Sequence, residues 1–161
     1  MPIVAPDELP LRLAKRARLM AFDVGERTIG IAICDPGLTL VSPIETIRRT
    51  TWTRDSGRLR ELVAYWTVGG FVVGLAYNMD GSEGASAQRC RAFARNLLAL
   101  DDLPLAFWDE RLSSFAAADA LAEIGRRPKD PRARLDHVAA AVILESYLRG
   151  IADARRGGDP A

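Results

Sequence analysis

The run Leu19-Met20-Ala21-Phe22-Asp23-Val24-Gly25, continuing through Glu26-Arg27-Thr28-Ile29-Gly30-Ile31-Ala32-Ile33, constrains this chain more than any other stretch. It reads as two apolar strands joined by a tight polar turn, with one acid, Asp23, inside the first. A short apolar run bounded by glycine and charged residues marks a strand buried on both faces. A carboxylate is costly to bury there unless a cation or hydrogen-bond donors stabilise it. Asp23 is therefore the first candidate functional residue. Gly25 supplies the backbone freedom that the turn needs and leaves space in front of the acid.

Strands are expected over residues 19–24 and 28–35, and Pro36-Gly37 turns the chain into a third over 39–47. Pro43 interrupts that third strand and fits a sheet edge. The period then changes. Leu59, Leu62, Val63 and Trp66 fall at i, i+3, i+4 and i+7, which predicts an amphipathic helix over 53–67, ended by Gly69-Gly70. Residues 71–75 read as a buried strand, followed by the turn-forming loop Asn78-Met79-Asp80-Gly81-Ser82. Cys90, Phe93, Ala94, Leu97 and Leu98 repeat the helical stripe over 85–100, and a last strand over 103–108 delivers Asp109-Glu110-Arg111 to its end. Ser113 or Ser114 can cap an Ala-rich helix that stops near Gly125. A basic, proline-punctuated loop over 126–134 precedes the final helix, 135–149. The order β-β-β-α-β-α-β-α-α predicts an α/β fold, one mixed five-stranded sheet with helices on both faces. Residues 1–17, with Pro2, Pro6 and Pro10, read as an N-terminal extension, 18–150 as the domain, and 151–161 as a C-terminal tail, disordered over 155–161.

The 161 residues suit one domain, and 48% hydrophobic with 27% charged residues is ordinary for a globular protein. A net charge of +1 gives no global basic field, so a polyanion would have to meet a local patch. Cys34 and Cys90 form no CxxC pair and read as buried reduced thiols, and His137 is the only histidine. A zinc cluster or a serine–histidine triad is hard to build from that set. No stretch approaches the length of a membrane span, and the charges at Arg12, Lys15, Arg16 and Arg18 follow the mildly apolar part, the wrong order for a secretory signal. The expected location is the cytoplasm, with no membrane partner.

Asp23, Glu110 and Asp136 are far apart in sequence, yet this architecture can gather them. Parallel strands of α/β sheets collect sites at their C-terminal ends. Asp136 shares an i+4 row with Ala140, Leu144 and Leu148, an otherwise apolar row that faces the protein. Converging carboxylates would push one another's pKa values up unless a divalent cation relieves them. Oxygen-only ligands favour Mg²⁺ or Mn²⁺ over zinc, and the matching chemistry is two-metal phosphodiester hydrolysis. Plainer readings stand beside each acid. Asp23 can hydrogen-bond its turn; Asp109 and Glu110 can pair with Arg111, and either can be the strand-end acid; Asp136 can cap the last helix. The loop carrying Lys129, Arg132 and Arg134 is a solvated basic loop or, beside an acidic metal site, a phosphate-backbone contact. Asn78, Asp80 and Gly81 are turn formers first and substrate contacts second, and the three tryptophans suit core packing.

Asp23-Val24-Gly25 with Thr28-Ile29-Gly30-Ile31-Ala32, Gly74-Leu75 with Asn78-Met79-Asp80-Gly81-Ser82, Asp109-Glu110-Arg111-Leu112-Ser113, and Asp136 with Ala139-Ala140 and Ile143-Leu144 together resemble the YqgF family, also called RuvX or pre-16S rRNA nucleases. Four motifs in order at compatible spacing cover most of the chain, although Ala76 stands where the family has proline. The resemblance implies an RNase H-like, metal-dependent endonuclease of the cytoplasm, maturing the 5′ end of small-subunit ribosomal RNA in ribosome biogenesis. It implies Asp23, Glu110 and Asp136 as the metal-binding acids. Beside such a site Arg111, Asn78 and the basic loop, which is not a strong family signature, are expected on the nucleic acid, either an rRNA precursor, alone or in ribosomal particles, or branched DNA. Two alternatives are a RuvC-like Holliday junction resolvase using the same chemistry and a non-catalytic nucleic-acid-binding factor in ribosome assembly or transcription. An actin-like ATPase, whose phosphate turn also reads Asp-x-Gly, needs a second domain for which 161 residues leave no room.

Overall fold

A computed structural model describes residues 3–113 and 131–157, with side chains described outside 112–113, 131–137 and 155–157. The elements are α1 (Leu9–Arg12), β1 (Arg18–Val24), β2 (Thr28–Cys34), β3 (Val41–Arg48), α2 (Trp52–Tyr65), β4 (Val68–Leu75), α3 (Ala85–Leu100), β5 (Leu105–Asp109), a 3₁₀ turn (Glu110–Ser113) and a long final helix, α4 (Pro131–Gly157). The strands form one five-stranded sheet in the order β3-β2-β1-β4-β5. The first three meander antiparallel, whereas β4 and β5 run parallel to β1. This is the mixed sheet that the sequence predicts, and Pro43 lies on its β3 edge, where the ladder slips between Ile31 and Ala32.

Strand alternation sorts the core into two layers. Met20, Phe22 and Val24 face α2 and α3, where Phe22 packs against Phe71 and Phe93 with ring centroids 5.7 and 5.2 Å apart. Leu19 and Ala21 face the other way, against Ala140, Ala141, Ile143, Leu144 and Tyr147 of α4. By the same count Asp23 belongs to the α4 face. Trp108 closes that face, edge-on to Tyr147 and donating from Nε1 to Ser146 Oγ at 2.9 Å.

Gly69-Gly70 does not end a helix. Both residues lie in β4, and α2 stops earlier, at Tyr65. The glycines serve a close approach instead: a Cβ at Gly69 would run into Ala17 Cβ, and one at Gly70 would meet Leu13, Leu19 and Leu9. The first residues are therefore packed on the sheet. Val4 N donates to Leu105 O at 2.9 Å, Tyr147 Oη donates to Pro6 O at 2.6 Å, and Leu9 is fully buried. The prolines of this segment do not prevent the short helix α1, which has proline in its first turn, where a missing N–H costs nothing. Leu9→Ala is expected to cost about 2–5 kcal/mol, read as a lowered denaturation midpoint; an unchanged midpoint would mean that this segment is only appended.

The final helix also differs from expectation. It begins at Pro131, so Arg132 and Arg134 belong to its first turns and not to a loop. Proline suits the first helical position, and Arg-Ala-Arg propagates a helix well. It continues to Gly157, with Ile151 buried in the α4-side layer, so the expected tail is helical over 151–157. The expected Ala-rich helix up to Gly125 and the basic residues up to Lys129 lie outside the described residues. Among the described residues no helix is long and apolar enough to cross a membrane.

Candidate active site

The parallel strands β1, β4 and β5 bring their C-terminal ends to one end of the sheet, and Asp23 stands there on the central strand, half-buried. Its antiparallel neighbour is Gly30, and the parallel register Phe22↔Val73 continues to Gly74 on its other side. The acid is thus flanked by glycine on both adjacent strands. At Gly74 the reason is explicit: a Cβ would stand 2.7 Å from Glu110 Oε1 and 2.5 Å from Ile143 Cδ1. The space left by the missing side chain is where Glu110 crosses from β5 and where α4 lies over the sheet.

Glu110 follows β5 directly. Ala106 and Trp108 point to the α4 face, so the parity of the strand sends Glu110 there too and turns Asp109 away. The Glu110 carboxyl is hydrogen-bonded to that of Asp23. Burial pushes its pKa up, and the Asp109 charge adds to that push against the opposing effect of the Asp23 hydrogen bond. Two carboxyl groups in such contact need a proton or a cation between them. Asp109 is engaged elsewhere: it accepts from Arg111 N at 2.9 Å, Nε at 3.1 Å and Nη2 at 2.7 Å, and the Arg111 hydrogen bonds hold its pKa down. The acid against Asp23 is therefore Glu110, not its neighbour.

Arg111 is exposed at the same rim, with its guanidinium 5.1 Å from the Tyr77 ring centroid and its charge shared with Asp109. Asn78, also exposed, closes the loop after β4: its N–H donates to Ser82 O at 2.8 Å, its carbonyl accepts from Gly81 N at 2.9 Å, and its amide donates to Ser82 Oγ at 3.0 Å. Asp80 is bound into the same loop by Ser82 N at 2.9 Å. These are the loop-forming roles that its composition predicts. Asp136 opens the row that continues through Ala140 and Leu144, both buried against the sheet. Its side chain, like those of Arg132, Arg134 and His137, lies outside the described residues, as does all of Lys129.

Among the described residues no group of three or more acids, histidines or cysteines is placed to share a metal ion. Asp23 and Glu110 supply a pair of hard oxygen donors, the ligand type that divalent cations such as Mg²⁺ and Mn²⁺ prefer. Cys90 lies buried across the sheet, and burial, with the Glu110 and Asp23 charges adding, pushes its thiol up, so it stays a neutral packing group. Sequence reading misses the role of Gly74. An isolated glycine inside a strand does signal close approach, but which neighbour approaches depends on the register.

A sequence profile of the RuvX family, described as Holliday junction resolvase, matches residues 17–150. A protein of Paramagnetospirillum magneticum named "Putative pre-16S rRNA nuclease" is 45% identical over 148 residues, covering 92% of this chain and 96% of that one. A protein of the same name from Roseobacter denitrificans is 49% identical over 132 residues, covering 81% of each. Among solved structures, Thermus thermophilus RuvC in complex with a Holliday junction substrate aligns with a TM-score of 0.58 at 14% identity, covering 83% of this chain and 96% of that one. The yeast mitochondrial Holliday junction resolvase Ydc2 aligns with a TM-score of 0.59 at 11% identity, covering 94% and 86%. At those identities the structural likeness concerns the fold alone, which is that of the RuvC-like, RNase H-like proteins.

Proposed function

Because the chain belongs to the RuvX family, we propose that it is a divalent-metal-dependent endonuclease that processes the 5′ end of the small-subunit rRNA precursor. One observation carries this reading: the Asp23 and Glu110 carboxyls face each other at the C-terminal end of the sheet, across a space kept open by Gly74. Asp23, Glu110 and Asp136 would hold Mg²⁺ or Mn²⁺. The ion would supply an activated water and charge neutralisation at the scissile phosphate. Glu110 must give up its proton before it can ligate, so its raised pKa makes affinity climb as pH rises through it. Gly74 gives the two carboxyls room to approach. Asp109 holds the Arg111 guanidinium at the same rim of the sheet, where it would orient the phosphate, while Arg132 and Arg134 on α4, Lys129 before it and Asn78 would take further contacts.

The names of the relatives and of the family diverge on substrate, and the RuvC-like fold fits a four-way junction as well as a folded RNA. The test is cleavage of a precursor fragment spanning the 5′ end of small-subunit rRNA and of a four-way DNA junction, each with Mg²⁺, Mn²⁺ or EDTA. RNA cut only in the presence of metal is the expected result. Junction cutting alone would transfer the assignment to a resolvase, and binding without cutting of either would make the protein an assembly factor.

A further inference from the structure

The chain is nearly neutral overall, yet arginines gather at the site end of the sheet on the side away from Arg111. β3 runs in the same direction as β1, so Arg48 at its end lies beside the turn that follows Asp23. The register pairs Arg48 with Thr28, and Arg49 N donates to Arg27 O at 2.8 Å. Arg49 Nη1 also donates to Gly25 O at 2.9 Å, which fixes the turn against β3. Arg54 follows in the first turn of α2. Arg27, Arg48 and Arg54 are exposed and Arg49 is half-buried.

The acids near this group are committed elsewhere. Glu26 is bound by Arg89 at 3.1 Å and Glu45 by Arg58 at 2.6 Å. Asp55 is buried and accepts from Thr50 N at 3.1 Å and Thr50 Oγ1 at 2.9 Å. Among the described residues none of the four arginines has a carboxylate within ion-pair distance, so their charge is available to a polyanion. β1 is the central strand, and β3 and β5 are the edges. With strands about 4.8 Å apart, Arg48 and Arg111 stand about 10 Å to either side of Asp23.

We propose that Arg27, Arg48, Arg49 and Arg54 form a second phosphate-backbone contact, opposite Arg111, so that a nucleic-acid strand crosses the sheet end from rim to rim over Asp23. This rests on the nuclease reading above and adds the path of the substrate. A span of about 20 Å corresponds to roughly six base pairs along a duplex axis at about 3.4 Å each. The contact is to phosphates, which RNA and DNA share; discrimination between them would come from the 2′-hydroxyl elsewhere in the site.

The full chain carrying Asp23→Asn would be titrated with a fluorescent 12-nucleotide single-stranded RNA and with a four-way DNA junction over a range of KCl concentrations. Arg27→Glu with Arg48→Glu is expected to weaken binding tenfold or more, and to flatten the salt dependence of log Kd by roughly 0.7–0.9 per arginine removed. Arg49 is left intact because its bond to Gly25 also shapes the turn. Arg60→Glu with Arg95→Glu, exposed positions inside α2 and α3, should leave the salt slope unchanged. Equal effects of the two pairs, or none from the first, would overturn the proposal. Binding that depends on Arg111 alone would overturn it and leave the nuclease reading intact. Binding that depends on the first pair, in a chain whose wild type cuts neither substrate, would uphold the contact and reject the nuclease. Failure of both probes to bind would reject both.

Discussion

Glu110→Gln and Asp23→Asn should each reduce metal-dependent cleavage by on the order of 10²–10³-fold or more, the scale on which an enzyme loses a group that stabilises developing charge. Neither should weaken the fold. The Glu110 pKa is raised above its unfolded value by burial, so its ionised form is disfavoured in the folded protein. The sign follows from linkage. Below the ordinary carboxyl range the folded and unfolded states both hold the proton, and Glu110 costs nothing. As pH rises from there through the raised value, the fold must either keep a proton that the unfolded chain releases or bury a charge, and stability falls. The amide of Glu110→Gln does not titrate and escapes that loss, so this variant should melt above wild type at neutral pH and level with it in acid. A divalent cation should reverse the order by stabilising wild type alone, by about 2.7 kcal/mol at a hundredfold excess over its Kd. Melting curves at two pH values, with and without Mn²⁺, separate these effects. A variant that loses activity and stability together would point to a structural role for the pair.

Gly74→Val should nearly abolish activity at a moderate cost in stability, and Gly74→Ala should show the same effect in weaker form. A Cβ at this position meets Ile143 Cδ1 at 2.5 Å and Glu110 Oε1 at 2.7 Å. Both are the far ends of side chains, so the core can give, at about 1–3 kcal/mol for overpacking. Glu110 cannot retreat without leaving Asp23. The kinetic signature is therefore a rise in the metal concentration needed for half-maximal cleavage, larger than the change in denaturation midpoint implies. If Gly74→Ala unfolds the protein without this shift, the glycine serves packing alone.

The alternation of β1 and the stripes of α2 and α3 are legible because burial on one or both faces writes a period into the sequence. Gly69-Gly70 misleads for the reason that makes it informative: the same dipeptide ends a helix or admits a close neighbour, and only the position of Ala17 decides between these roles. The start of α4 is hidden because Pro131 among arginines reads as loop until the helix that it opens is seen. Asp109 and Glu110 are equivalent in composition. Strand parity separates them, but β5 has apolar residues on both faces, so parity alone does not say which face holds the site. Asp23 stands out because a carboxylate inside so apolar a run is costly without a partner to stabilise it. The arginines around the β1–β2 turn are invisible as a group because they come from separate segments, Arg27 on one side and Arg48, Arg49 and Arg54 on the other, and only the β2–β3 register joins them.

The most direct measurement is the titration of Mn²⁺ into the wild-type chain, Asp23→Asn and Glu110→Gln at neutral pH, with free Mn²⁺ followed by electron paramagnetic resonance. If Asp23 and Glu110 hold the ion together, wild type removes the free-ion signal and each variant binds at least tenfold more weakly. Equal binding by all three proteins would contradict a metal centre built on this pair.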